Sequence, residues 1–394
     1  MDQKLASYLE LLRFAIDDAH PVPECIKDVN WHELLEFATK HAIIGMYIPV
    51  VLMKKEKLKV EDFMGNKPSD EDVMEWVFED YRLRKRNTQL FEQTTKAAEW
   101  FFQNGFRNCI LKGQGNALMY PDPLMRSTGD IDIWLEGSRD EILAFTKKFY
   151  NRPHNIMHVD FPMFKDTMVE VHFYPSRLFN PYKNKKLWAY FESLGDSQFD
   201  HYVTSADGKY KFPVPTNDFN LFFQLDHIFR HLIYEGIGLR QLIDYYYLLK
   251  KCHREGFSDE EKKKLISLLN KFNIKKFSRA VMYVMTEVLG LEEKYLYIAP
   301  HEKEGKFLLN EILEGGNFGK YEQRANDSLE GVEGHVKRFL VLEKYKLRLL
   351  RHYPSEAIWM PWRDLREFYN RKSKERKEKK EEEQSNKNTS STKD

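Results

Sequence analysis

The stretch Leu111–Glu136, LKGQGNALMYPDPLMRSTGDIDIWLE, decides how this chain is read. Its second half alternates, with Asp130 and Asp132 two apart in a β-rich run and Ile131, Ile133 and Leu135 interleaved. Successive side chains of a strand point to opposite faces, so both carboxylates share one face and the aliphatic residues enter a core. Two aligned aspartates repel each other unless a cation lies between them. Mg²⁺ commonly takes one or two carboxylates together with substrate phosphates. Such a pair suits two-metal phosphoryl or nucleotidyl transfer.

Other short β-rich runs lie on either side. Asn108–Leu111 precedes the Asp pair, and Met168-Val-Glu-Val-His-Phe-Tyr174 follows it. In the latter, Glu170 and His172 take one face and the valines the other, so Glu170 is the expected third carboxylate and His172 a cleft-lining neighbour. Arg139–Tyr150 reads as a helix with Ser138 as its N-cap. Strand, helix, strand, helix and strand within some seventy residues predict a small α/β unit. A second D-x-D, Asp70 and Asp72 in a polar S-D-E-D segment, reads as a solvated helix start.

The first half of the decisive stretch carries the phosphate chemistry. Gly113 and Gly115 after the first strand let backbone N–H groups approach an anion, and the next helix can present its N-terminus. Candidate nucleotide contacts are Lys112, Gly113, Arg126 and the Ser127-Thr128 turn. Two look-alike motifs fail. Gly113-x-Gly115-x-x-Leu118 imitates a dinucleotide fingerprint, but Leu118 stands where a small residue must pack. Gly315–Lys320 imitates a P-loop with the wrong spacing, and Tyr321 stands where Ser or Thr is needed; it reads as a Gly-rich turn ending a helix.

Helical patterns fill the rest. Trp31–Ala38 and Trp76–Phe102 recur at helical spacing, and helices return after Pro215, capped by Thr216 or Asn217. Further helical patterns span 239–251, 258–291, 304–313 and 336–352. On the first of the returning helices His227 and His231 are four apart. Beyond it Arg240 and Asp244 form another i, i+4 pair. They either brace two helices or line the cleft facing the α/β unit. The expected organisation is a helical region over 1–104, a core over 105–185, a second helical region over 186–370 and a charged tail over 371–394. That tail holds nine basic and six acidic residues without an aliphatic or aromatic one, so it is expected to be disordered.

Composition narrows the classes. Among 394 residues, Lys+Arg 62 against Asp+Glu 61 gives +1, so no global basic field holds nucleic acid. Three cysteines show no pairing pattern. The first residues carry charges inside their apolar run, unlike a signal peptide, and no apolar stretch is long enough to cross a membrane. A soluble protein of the reducing cytoplasm is expected.

These residues also carry a likeness. Leu111-Lys-Gly, Tyr120-Pro-Asp-Pro, Arg126, Gly129-Asp-Ile-Asp-Ile, Val169-Glu-Val-His-Phe and His227…Gly238-Leu-Arg-x-x-x-Asp244 resemble the uncharacterised nucleotidyltransferases, a branch of the DNA-polymerase-β-like superfamily. The resemblance implies an α+β fold, a small mixed sheet flanked by N- and C-terminal helices. It implies Mg²⁺ (or Mn²⁺) held by Asp130, Asp132 and Glu170, with Gly113 as the retained glycine. Where the superfamily usually has Gly-Ser or Gly-Gly, this chain has Gly113-Gln114. The expected activity moves an NMP from an NTP to an acceptor hydroxyl, on a small molecule, a protein or an RNA end, with release of pyrophosphate. Rival readings are a catalytically silent nucleotide-binding or protein-interaction scaffold of the same fold, and an NAD-type oxidoreductase built on the Gly113/Gly115 turn. If metal alone relieves the carboxylate repulsion, neutralising Asp132 should leave metal-free stability equal or slightly higher.

Overall fold

The computed structural model describes residues 2–150, 152, 154–234, 236–316 and 343–362. They fall into two compact units, one from Met1–Arg177 and Lys186–Asp327 and the other from Leu178–Lys185 and Ser328–Asp394.

The larger unit begins with helices α1 (Gln3–Ile16), α2 (Trp31–Lys40) and α3 (Ile44–Val51), followed by the long α4 (Asp70–Gln103). Ser69 and Asp72 form a capping box at the start of α4, where three acidic residues meet the helix dipole. The second D-x-D is therefore a helix cap. On α4, Trp76, Leu83, Asn87, Leu90, Thr94, Ala97 and Phe101 are buried at intervals of three, four or seven, which makes one continuous inward stripe.

That stripe covers the apolar face of a four-stranded sheet made of β1 (Asn108–Leu111), β2 (Ile131–Leu135), β3 (His158–Phe161) and β4 (Val169–His172). Strand order is β1-β2-β4-β3. The β2/β4 pair is parallel and the other two pairs are antiparallel, so the sheet is mixed. Ile131, Ile133, Leu135, Val159, Phe161, Val169 and Val171 join Leu90, Phe91, Ala98 and Phe101 in one core. The α+β fold that the resemblance implied, a small mixed sheet flanked by helices, is what the chain adopts. The antiparallel β1/β2 pair also removes the dinucleotide reading, because the Gly113/Gly115 turn does not open a parallel βαβ unit.

Between the strands lie the single turn α5 (Gly113–Ala117) and α6 (Arg139–Lys147), whose Ser138 cap and Glu141 form the anticipated capping box. β3 was not anticipated: its four residues, HVDF, alternate too briefly to stand out. A hairpin of β5 (Tyr202–Thr204) and β6 (Lys211–Pro213) was likewise unforeseen; it adds Phe212 and Val214 to the core. After α7 (Pro181–Glu192), which starts in the smaller unit, come α8 (Asn217–Tyr234) and α9 (Leu239–Arg254), two almost wholly buried helices. α10 (Asp259–Lys271), α11 (Lys275–Glu287) and α12 (Glu302–Gly315) follow, with Ser258 capping α10. Helix α12 stops at Gly315 and Gly316 has φ +61°, as a Gly-rich helix end requires. Residues 317–320, the rest of the P-loop look-alike, lie outside the described residues.

In the smaller unit residues 343–352 are helical, and residues 336–342 of that expectation lie outside the described residues. The buried Glu356 carboxylate accepts the backbone N–H groups of Phe179 at 2.7 Å and Asn180 at 3.0 Å. The charged tail, 371–394, also lies outside the described residues. No helix among the described residues is long and apolar enough to cross a membrane.

Candidate active site

The polar face of the sheet is where the sequence-selected residues meet. β2 and β4 run parallel in a register that sets Asp132 beside Glu170 and Trp134 beside His172. β3 extends the row, with Asp160 beside Glu170 and His158 beside His172. Asp130 is the residue before β2 and is exposed, whereas Asp132 is buried. The two aspartates thus stand one at the surface and one within the fold on the same side of the sheet.

Lys112 stands beside Asp132. Its Nζ lies 2.9 Å from Asp132 Oδ1, and His172 Nε2 lies 3.0 Å from the same oxygen. Lys112 has φ 54° and ψ −133°, a region nearly closed to residues with a Cβ, and Gly113 follows with φ 40°. Such strain costs about 1–3 kcal/mol and persists only where surrounding contacts enforce it. The side chain of Lys112 is held at the same time by its ion pair to Asp132.

Charges follow the contacts. Burial alone would raise the Asp132 carboxyl, but Lys112 and His172 outweigh it and hold it well below the usual range. Burial opposes protonation of His172, yet its bonds to Asp132 and Glu170 raise its pKa. Glu170 Oε2 lies 3.4 Å from His172 Nε2 and 3.3 Å from His158 Nδ1. Asp130, at the exposed rim, is raised chiefly by the charge of Asp132. His158 is pulled down to about 4 by burial and then by the charge of His172.

A second group holds the loop before β2. Arg126 donates from Nε and Nη2 to the two oxygens of Asp244, each at 2.7 Å, and both residues are buried. Tyr120 adds a 2.6 Å bond to Asp244. The fork-to-carboxylate geometry fixes Arg126 as the partner of α9. Arg240 donates to the Ser127 carbonyl at 2.8 Å. Asn87 of α4 is the hub sequence reasoning missed. Its Nδ2 donates to the carbonyls of Leu124 and Arg126, and its Oδ1 accepts from the Thr128 hydroxyl at 2.8 Å. Arg86 donates to the Gly129 carbonyl at 2.9 Å. The Ser127-Thr128-Gly129 turn is thereby tied on both sides.

The remaining helix residues divide. His227 and His231 meet edge to face with ring centroids 4.3 Å apart, and Arg230 Nη2 lies 3.2 Å from a ring nitrogen of each. Burial pushes His227 well down, with the charges of Lys112, His231, Arg230 and His172 adding to it. Asp244 instead belongs to the Arg126 anchor. Trp134, on the polar face, is buried against Phe199 and Phe219, with ring centroids 4.8 and 5.8 Å apart.

A family model described as uncharacterised nucleotidyltransferase matches residues 27–290, two thirds of the chain and all of the strands and loops above. The chain belongs to this nucleotidyltransferase family. A solved structure, an antigenic nucleotidyltransferase-like protein from Paracoccidioides brasiliensis, is similar at 14% identity and a TM-score of 0.28, covering 46% of this chain and 88% of its own. No curated protein matches.

Proposed function

We propose that this nucleotidyltransferase-family chain transfers an NMP from an NTP to an acceptor hydroxyl at the polar sheet face, with Asp130, Asp132 and Glu170 as its acidic centre. The observation that carries the reading is the in-register pair Asp132 and Glu170 on parallel strands, with Asp130 at the rim. The donor set fits Mg²⁺ or Mn²⁺: its oxygens are hard ligands, and the raised Asp130 carboxyl records a repulsion that a cation would relieve. Such an ion, when bound, supplies charge neutralisation for the triphosphate.

The protein's part is positioning. Asp130, Asp132 and Glu170 would hold such an ion, the Lys112 ammonium beside Asp132 contributes positive charge for the phosphates, and the Gly113 turn lets the backbone approach them. The Ser127-Thr128 turn, fixed by Asn87 and Arg240, forms the opposite wall. Arg126, first read as a phosphate contact, acts in this reading through Asp244 as an anchor for that wall. Glu170 accepts the acceptor's proton as the new oxygen–phosphorus bond forms and the bond to the departing pyrophosphate breaks. The acceptor is a small molecule, a protein or an RNA end. In this reading residues 105–185 carry the chemistry between the helical regions 1–104 and 186–370, with the tail 371–394 apart from it, and the enzyme works in the cytoplasm.

The test is thermal unfolding with each NTP, with and without Mg²⁺ or Mn²⁺ and with NAD as control, alongside pyrophosphate release in a cell extract. Ligand at about 100 times Kd adds roughly 2.7 kcal/mol. Unchanged melting in every combination would remove the enzyme reading. Nucleotide binding without release would favour the silent scaffold.

A further inference from the structure

We propose that His158, Glu170 and His172 form a site for one borderline divalent transition ion, taking Zn²⁺, Co²⁺ or Mn²⁺ in preference to Mg²⁺. The site shares Glu170 with the acidic centre, so its role in transfer rests on the reading above, while its existence does not.

The first argument is acceptor crowding. His172 Nδ1 lies 3.3 Å from the Tyr174 carbonyl oxygen, which can only accept, so that nitrogen carries the hydrogen. Nε2 faces Asp132 Oδ1 and Glu170 Oε2, so it either carries the proton of an imidazolium that donates to them or gives its lone pair to a metal ion held among them. Lone pairs facing one another need a cation between them, a proton or a metal ion. His158 Nδ1 is buried, makes no hydrogen bond and lies 3.3 Å from the same Glu170 oxygen.

The second argument is spacing. An ion with tetrahedral bonds of about 2.0–2.1 Å holds its ligand atoms roughly 3.3–3.4 Å apart. Glu170 Oε2 stands at 3.3 Å from one imidazole nitrogen and 3.4 Å from the other. All three ligand atoms lie within 4.8 Å of one another. Adjacent strands fix them: His158 is opposite His172, and Glu170 precedes His172 by two on β4. Two imidazoles and a carboxylate suit Zn²⁺, Co²⁺ and Mn²⁺, whereas Mg²⁺ asks for oxygen throughout. The outer shell is present as well. His172 Nδ1 faces its carbonyl, and Asp160 Oδ1 lies 3.7 Å from His158 Nε2. Metal on His158 Nδ1 moves the ring proton to Nε2, so the Asn155 amide now 2.8 Å from that atom turns away.

The experiment titrates Co²⁺ into the untagged, chelator-treated full chain without nucleotide and follows its visible absorption, then competes with Zn²⁺ and with a large excess of Mg²⁺. One equivalent of Co²⁺ with nitrogen-ligand bands should bind, yield to Zn²⁺ and resist Mg²⁺. His158→Gln and His172→Gln should each weaken binding at least ~10-fold, the least that loss of even an orienting partner costs. His231→Gln, in the other histidine pair, should leave it unchanged. Should His172→Gln fail to fold by circular dichroism, the partly exposed His158 decides alone. Absence of Co²⁺ uptake, equal displacement by Mg²⁺, or unchanged binding in His158→Gln would overturn the proposal. Pyrophosphate release with Mg²⁺ and NTP is measured separately: Co²⁺ binding without release leaves this site standing and the transferase reading fallen, and release without Co²⁺ binding does the reverse.

Discussion

Replacing Asp132 with asparagine keeps the side chain's shape and removes the charge on which the acidic face is organised. Charge repulsion alone predicts unchanged or slightly higher metal-free stability, but the contacts reverse that expectation. One Asp132 oxygen faces both Lys112 Nζ at 2.9 Å and His172 Nε2 at 3.0 Å, and the Asp132 side chain is only 5% exposed. Breaking a buried ion pair by removing one partner costs about 3–5 kcal/mol. Two features reduce this. The Lys112 side chain is 18% exposed and can turn to water, and His172 can release its proton. The loss is therefore about 2 kcal/mol, or some 4–8 °C at about 2–4 °C per kcal/mol. The decisive readout is the metal response. Wild-type protein should gain roughly 2.7 kcal/mol from metal and NTP at about 100 times Kd, and the variant should gain none and release no pyrophosphate. Differential scanning fluorimetry with a coupled pyrophosphate assay reads both. A variant that melts lower yet keeps its turnover and metal response would refute the catalytic assignment and leave Asp132 as a strut.

Asp244→Asn should lower stability by about 3–5 kcal/mol in chemical denaturation, because it strands the buried Arg126, while the double change Arg126→Met, Asp244→Leu should recover most of that loss. A single change that costs nothing would return Arg126 to the phosphate-binding role. His41 is fully buried beside Phe37, and burial and then Lys40 pull it down to about 3. Since an unfolded histidine titrates near 6.5, the unfolded chain alone takes up that proton below this pH. His41 therefore contributes its full stability above about pH 6.5 and loses up to ~1.4 kcal/mol per unit as pH falls toward 3. His41→Phe should flatten that slope in urea titrations at pH 5 to 7, and an unchanged slope would exclude His41 as its source. Gly305→Ala places a methyl 2.2 Å from the Tyr283 ring where α11 meets α12, so a loss of about 1–3 kcal/mol is expected, and a neutral result would show that this contact yields freely.

The period-two alternation of Asp130–Leu135 and Val169–Tyr174 was enough to assign faces, because a strand buried on one side has no other register that keeps its aliphatics inside. The helix starts were equally local: Ser69, Ser138 and Ser258 each stand three residues before an acidic side chain that returns the cap. Sequence spacing could not assign Arg126. A basic residue beside a glycine turn and an acidic pair reads as a phosphate ligand, but its actual partner is 118 residues away on α9. Asn87 was hidden for a similar reason. A polar residue on the buried stripe of a long helix looks like a flaw in the pattern, until the loop whose carbonyls it binds is brought against it.

β3 shows the sharper limit. Its four residues alternate correctly, His158 and Asp160 outward and Val159 and Phe161 into the core, but two periods are too few to separate a strand from a loop. Edge position explains the composition, since a charged outer strand resists pairing with other chains. The same two outward residues place an imidazole and a carboxylate beside Glu170, so a strand too brief to announce itself changes which donor atoms that edge of the sheet presents. Read from the Asp pair alone, the proposed centre is all oxygen and would suit Mg²⁺. With β3 in register it also offers two imidazoles on one edge, and Glu170, between the oxygen set and the nitrogen set, is the group through which one bound ion would alter affinity for another.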